Sequence, residues 1–153
     1  MTRKTLCLLA GLGSLALLLG ALAFQYWGGL APCKLCIWQR WPHGIAAAAA
    51  ALGLFALPAR AALIGLLSVL TGAGIAFYHT GVERGWWPGP TSCSGGGDLS
   101  GLSGADLLST EGAGAIVMCD EVAWEMLGFS MASWNGLASL GLAAVWVLAL
   151  RAR

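Results

Sequence analysis

WPHGIAAAAAALGLFALPARAALIGLLSVLTGAGIAFY, residues 41–78, contains a single charged residue, Arg60. Roughly 20 helical residues cross the ~30 Å hydrocarbon core of a bilayer. The stretch therefore reads as two spans, 41–57 and 61–78. Pro58, Ala59 and Arg60 leave room only for a tight turn between them.

Two further apolar runs flank this hairpin, at 5–24 and 132–150. With 58% hydrophobic and only 10% charged residues, the chain lies far from soluble proteins, in which about 25% of residues are charged. The expected fold is an all-α membrane protein: one domain, residues 1–153, built as a four-transmembrane-helix bundle with two loops, 25–40 and 79–131. A cleaved signal peptide over residues 1–23 is the competing reading, since Arg3 and Lys4 precede an apolar run ending in Ala21, Leu22 and Ala23. That run exceeds the roughly 7–15 residues of a signal core, which favours a retained helix.

Charge orients the bundle. Arg3, Lys4, Arg60, Arg151 and Arg153 fall at one end, against Lys34, Arg40 and Arg84 at the other. The positive-inside rule makes the first end cytoplasmic, with both termini there. Trp27, Trp38, Trp41, Trp86, Trp87, Trp124 and Trp134 cluster near the outer boundary, where amphipathic rings suit the head-group region. All seven acidic residues lie between Glu83 and Glu125.

Nucleotide-binding, zinc-finger and nucleic-acid-binding patterns are absent from the sequence, so the loops must carry the chemistry. Of the five cysteines, Cys7 lies in an apolar run and reads as a small buried hydrophobe. Cys33, Cys36, Cys93 and Cys119 lie in polar segments, which suggests two pairs and a spectator.

Cys33 and Cys36 form a CxxC, a spacing that permits a short, reducible disulfide, half a metal site or an inert staple. A helix beginning near Pro32 makes Cys36 an activated thiol, with Arg40 one turn beyond. Arg40 also suits a head-group anchor, but the adjacent CxxC favours a chemical role. Cys93 sits among Thr91, Ser92 and Ser94, before Gly95, Gly96 and Gly97, a composition that leaves a sulfur accessible. Cys119 precedes Asp120–Leu127, where Val122, Met126 and Leu127 oppose Asp120, Glu121 and Glu125, a pattern that predicts a short amphipathic interfacial helix. The helix start and the neighbouring acids act oppositely on the Cys119 thiol.

PCKLCIWQR, the HT at His79 and Thr80, WPGPTSC ending at Cys93, and CDEVAWEMLGFSMASWN together resemble the disulfide-bond-formation protein B (DsbB) family. The resemblance runs from the CxxC into the fourth span. It implies disulfides Cys33–Cys36 and Cys93–Cys119, oxidation of a periplasmic thioredoxin-fold partner of the DsbA type at Cys93, and electron flow through Cys119 to Cys33. Cys36 would then face a quinone, ubiquinone or menaquinone, drawn from the membrane pool, with Arg40 and His79 matching quinone-site residues. The implied setting is the bacterial inner membrane with the cysteine loops periplasmic, and no metal or nucleic acid is required. On sequence alone His79 also suits a boundary histidine hydrogen-bonded to backbone, and Gln39 and His43 carry no assignment.

Three rival readings are a vitamin K epoxide reductase type, in which the CxxC belongs to a late span, a non-catalytic subunit stapled by disulfides, and a metal-handling protein using Cys33, Cys36 and His79.

Overall fold

The computed structural model describes residues 1–90 and 118–152. They form four helices and one small hairpin: α1 (Arg3–Tyr26), α2 (Lys34–Phe55), α3 (Pro58–Glu83), β1 (Glu125–Met126), β2 (Phe129–Ser130) and α4 (Met131–Arg151). The helices pack in a ring, α1 against α2, α2 against α3, α3 against α4 and α4 back against α1.

Three helices, α1, α3 and α4, are long and apolar enough to cross a membrane. α2 matches them in length at 22 residues, but its first half carries Lys34, Gln39, Arg40 and His43. The helices outrun the apolar spans: α2 begins at Lys34 and α3 continues to Glu83, so part of each expected loop is helical. Pro42 lies inside α2 rather than at its start, and its ring packs where Gly72 of α3 leaves space.

Large apolar side chains such as Leu12, Leu19, Leu67, Phe77 and Leu140 point outward, while the interior is lined with Ala10, Ala46, Ala50, Ala62, Ala143 and Ala149 around Trp146. This is the inverse of a water-soluble core and the arrangement expected in lipid, where helices associate by close packing of small residues. Gly65 shows the requirement: a Cβ there would lie 2.3 Å from Trp146 Cζ2.

Arg3 donates to Ala149 O at 3.1 Å and Ala152 O at 2.6 Å, joining the start of α1 to the end of α4. Cys7 Sγ lies 3.8 Å from Pro58 O, at the α2–α3 turn. One end of the ring therefore gathers Arg3, Lys4, Arg60 and Arg151, and the opposite end carries Cys33, Cys36 and Cys119.

The expected interfacial helix over Asp120–Leu127 is not formed. Residues 118–124 are irregular, and Glu125–Ser130 is an antiparallel hairpin pairing Glu125 with Ser130 and Met126 with Phe129. Its two turn residues, Leu127 (φ 55°) and Gly128 (φ 76°), both take the left-handed conformation that a two-residue hairpin favours. Val122, Met126 and Leu127 have helical spacing, but the glycine after them admits the turn that reverses the chain. Arg84 fastens the hairpin to α3 by donating to Gly128 O at 2.7 Å, and Trp134 Nε1 fastens it to α4 by donating to Met126 O at 3.2 Å.

Candidate thiol site and its cavity

Cys33 is the N-cap of α2, and its Sγ accepts the Cys36 backbone N–H at 3.3 Å. A sulfur thus occupies the position usually filled by a serine or aspartate oxygen, against the positive end of the helix dipole. Because α2 begins at Lys34 rather than near Pro32, this favourable field acts on Cys33 more directly than on Cys36, the reverse of the sequence expectation. The two sulfurs are 3.2 Å apart, close enough to share a proton. His79 Nε2 lies 3.5 Å from the Cys33 sulfur. Hydrogen bonding from Cys36, with His79 adding to it, holds the Cys33 thiol well below its ordinary range against the opposing effect of burial. The charge of a singly ionised pair therefore settles on Cys33.

Cys33, His79 and Cys119 are all buried, and their sulfur and ring-nitrogen atoms lie within 4.8 Å of one another. Leu35 and Val82 pack around the two sulfurs. Cys119 is disulfide-bonded, whereas Cys7, Cys33 and Cys36 are free. A disulfide sulfur is not a thiolate ligand, so in this state the trio is a site for thiol exchange rather than for a cation. Cys93 lies outside the described residues. Glu83, one turn after His79, sits 3.8 Å from His79 Nε2 and accepts a hydrogen bond from Ser130 Oγ at the end of the hairpin.

Beside the thiols, between α1, α2 and α4, lies a cavity of about 370 Å³ walled by Leu17, Ala21, Phe24, Pro32, Met131 and Trp134, with Cys36 and Arg40 on its surface. Arg40 donates to Gln25 Oε1 at 2.6 Å. Among the described residues it has no carboxylate partner, and its buried Nε is unpaired. His43, also in the cavity wall, has an unpaired, buried Nδ1. Among the described residues, an apolar chamber with one cation lacking a carboxylate partner and a few unpaired polar atoms suits a largely apolar ligand with oxygen acceptors. His79 is not part of this wall; it serves the Cys33 side of the site.

Along the cavity wall, of which Gln39, His43 and Asn135 are part, runs a hydrogen-bond chain that no pattern in the residues announces. His43 Nε2 meets Asn135 Oδ1 at 2.9 Å, Asn135 Nδ2 donates to Gln39 Oε1 at 2.7 Å, and Gln39 Nε2 meets His79 Nδ1 at 2.8 Å. Gln39 and His43 sit on α2, His79 on α3 and Asn135 on α4. Asn135 closes the quoted CDEVAWEMLGFSMASWN motif without a role assigned to it, and Glu83 carries none, because a lone polar residue does not reveal the partner it meets in space.

A CxxC at a helix start with its first sulfur buried, a disulfide-bonded cysteine beside it and a lipid-adapted helix ring define a membrane protein of the thiol-redox class. A family model described as "Disulfide bond formation protein DsbB" matches residues 3–149. The chain is 34% identical to "Disulfide bond formation protein B" of Dechloromonas aromatica over 90% of this chain and 86% of the relative. For the protein of that name from Aromatoleum aromaticum the identity is 36%, over 93% and 90%. For that of Chromohalobacter salexigens it is 37%, over 94% and 88%. No solved structure matches significantly. The chain belongs to the DsbB family, and its activity is that of a disulfide-forming oxidoreductase in a membrane.

Proposed function

We propose that the protein is a thiol:quinone oxidoreductase of the bacterial inner membrane that reoxidises a periplasmic, thioredoxin-fold partner of the DsbA type and passes the electrons to a membrane quinone. The observation that carries this reading is the position of the CxxC: Cys33 faces Cys119 within 4.8 Å, while Cys36 opens onto the cavity that holds Arg40.

In this reading Cys93 and Cys119 form the disulfide that meets the partner. A partner thiolate attacks the Cys93 sulfur, and the Cys93–Cys119 bond breaks, leaving its electron pair on Cys119. Cys119 then attacks Cys33 of the Cys33–Cys36 disulfide, and Cys36 departs as a thiolate into the cavity. The second partner thiol attacks the partner's own sulfur in the mixed disulfide, so that the oxidised partner leaves and Cys93 is released as a thiolate; Cys93 then attacks Cys119, which re-forms the Cys93–Cys119 bond and releases Cys33 beside Cys36. Re-formation of the Cys33–Cys36 bond releases two electrons and two protons, for which a bound quinone supplies the acceptor. Arg40 places a fixed positive charge where oxygen gains negative charge. His79 holds the Cys33 sulfur through Nε2.

The arginine-rich end of the bundle faces the cytoplasm in this scheme, and the thiol end faces the periplasm, within reach of the partner. The test follows quinone absorbance with detergent-purified protein, a reduced DsbA-type partner and a soluble quinone. The wild type should bleach the quinone band and Cys36→Ser should not. If the wild type neither oxidises the dithiol nor reduces the quinone, the reading fails and a stapled, non-catalytic subunit takes its place.

A further inference from the structure

The chain from His43 to Cys33 has a single polarity, which can be derived link by link. Gln39 Nε2 lies 3.3 Å from the Leu35 carbonyl, an acceptor with no hydrogen to give, so this end of the amide must be the NH₂. The same NH₂ donates to His79 Nδ1, leaving the His79 hydrogen on Nε2, the atom facing the Cys33 sulfur. Gln39 Oε1 must then accept, and Asn135 Nδ2 supplies the hydrogen. Asn135 Oδ1 accepts in its turn from His43 Nε2, so neutral His43 keeps a bare lone pair on the Nδ1 that has no partner. Every hydrogen in the series points toward Cys33, and His43, Asn135 and Gln39 all line the cavity wall while His79 stands beyond it. Gln39, His43 and His79 are only 5%, 3% and 2% exposed and Asn135 is half-buried, so water competes least for the Gln39–His79 link.

We propose that Gln39, Asn135 and His43 are positioning residues for the Cys33 sulfur, forming with His79 a one-directional hydrogen-bond chain that stabilises its thiolate and makes it sensitive to the cavity. A donor whose own acceptor atom is engaged becomes a better donor, so each link strengthens the next toward the sulfur. The influence falls with distance along the chain: Gln39 acts on His79 directly, Asn135 through Gln39, and His43 through both. The chain explains why a polar trio is buried at the centre of the bundle, where it would otherwise only cost stability. The cavity connection rests on the quinone reading; the action on Cys33 does not.

Among the described residues, the titratable groups around Cys33 are Cys36 on its own helix and His79 and Glu83 on α3, with the disulfide-bonded Cys119 on the segment before the hairpin. Around His43 the nearby charge in the cavity wall is Arg40.

The test needs no quinone. Purified protein is equilibrated at pH 7.5 in glutathione buffers of graded ratio, acid-quenched and alkylated. Trypsin cleaves after Lys34, placing alkylated Cys33 and Cys36 on separate peptides for mass spectrometry. Stabilising the Cys33 thiolate favours the reduced pair, so breaking the chain should lower the reduced-to-oxidised ratio. Gln39→Met should lower it about tenfold, Asn135→Leu about threefold and His43→Phe about twofold, the sequence of attenuation expected of successive links. The differences should narrow toward acid as Cys33 becomes protonated. Equal ratios in all three variants and the wild type, or equal losses that persist in acid, would overturn the proposal; the second pattern marks general loosening of the bundle. Helix content by circular dichroism confirms that each variant is folded. A graded loss in a protein that reduces no quinone would leave the chain standing and remove the proposed function instead.

Discussion

Replacing Arg40 by alanine separates the two halves of the proposed reaction. Arg40 lies in the cavity wall and is held by one hydrogen bond, to Gln25 Oε1 at 2.6 Å, with no carboxylate neutralising it among the described residues. Loss of one preorganised donor at a developing oxyanion costs about 10²–10³-fold in turnover when the site is fully enclosed. Arg40 is only partly buried, and solvent screening reduces that figure, so the expected loss in quinone reduction is about 10- to 100-fold. Loss of the Gln25 bond costs about 1 kcal/mol of stability, too little to unfold the bundle. Arg40→Lys keeps the charge but loses the planar fork, and should fall between the wild type and Arg40→Ala. The assay is stopped-flow quinone absorbance, run beside trapping of the mixed disulfide between the partner and Cys93. Trapping should proceed at the wild-type rate, because Arg40 is on the cavity side of the thiols. Unchanged quinone kinetics in Arg40→Ala would remove Arg40 from the site, and equal losses in both assays would show a structural role only.

Other outcomes follow from the same geometry. Cys33→Ser should still form a mixed disulfide with the partner, seen as a shifted band on a non-reducing gel, while quinone turnover is abolished; continued turnover would mean that electrons bypass the CxxC. Gly65→Leu should destabilise the bundle by about 1–3 kcal/mol, because its side chain must displace Trp146, and a detergent thermal melt would read this. Cys33 has a depressed ionisation in the folded, reduced protein. Its thiolate therefore contributes stability that is fully present above the unfolded thiol value of about 8.5 and is lost as pH falls toward the folded value. Reduced wild type should accordingly gain resistance to denaturant between pH 6 and 9, and Cys33→Ala should show a smaller gain; identical slopes would refute the assignment of the thiolate to Cys33. Cys7→Ala should leave quinone turnover unchanged, since Cys7 lies at the opposite end of the bundle beside Pro58, and a loss would give it a role in the relay.

Sequence legibility followed the range of the interactions. Helices over long apolar runs depend on local composition and are legible in the residues themselves, whereas the CxxC spacing alone leaves a disulfide, half a metal site and an inert staple open, and the choice comes from the motifs around it. The segment after Cys119 defies its local pattern because three apolar residues at helical spacing do not exclude a turn, and the outcome depended on Gly128 and on anchors from Arg84 and Trp134 on other helices. The site of thiol activation moved from Cys36 to Cys33 because the helix begins two residues later than Pro32 suggests. The chain through Gln39, Asn135 and His79 was hidden for a different reason: the Asn135–Gln39 link joins residues 96 positions apart, and no local pattern encodes such a meeting.

The bonds from Arg3 to Ala149 and Ala152 have a consequence for how the molecule is made. Helices adjacent in sequence can pair before the chain is finished, but the seam between α1 and α4 can form only once α4 is in place. Until then α1 presents an unfilled flank to lipid, and the cavity, which needs both α1 and α4, does not exist. Any ligand of the cavity could therefore be captured only after the whole ring has closed. The same adjacency makes the bundle a candidate for circular permutation: joining the two ends by a short linker and opening the chain at Leu57 would preserve every helix and move the seam between α2 and α3.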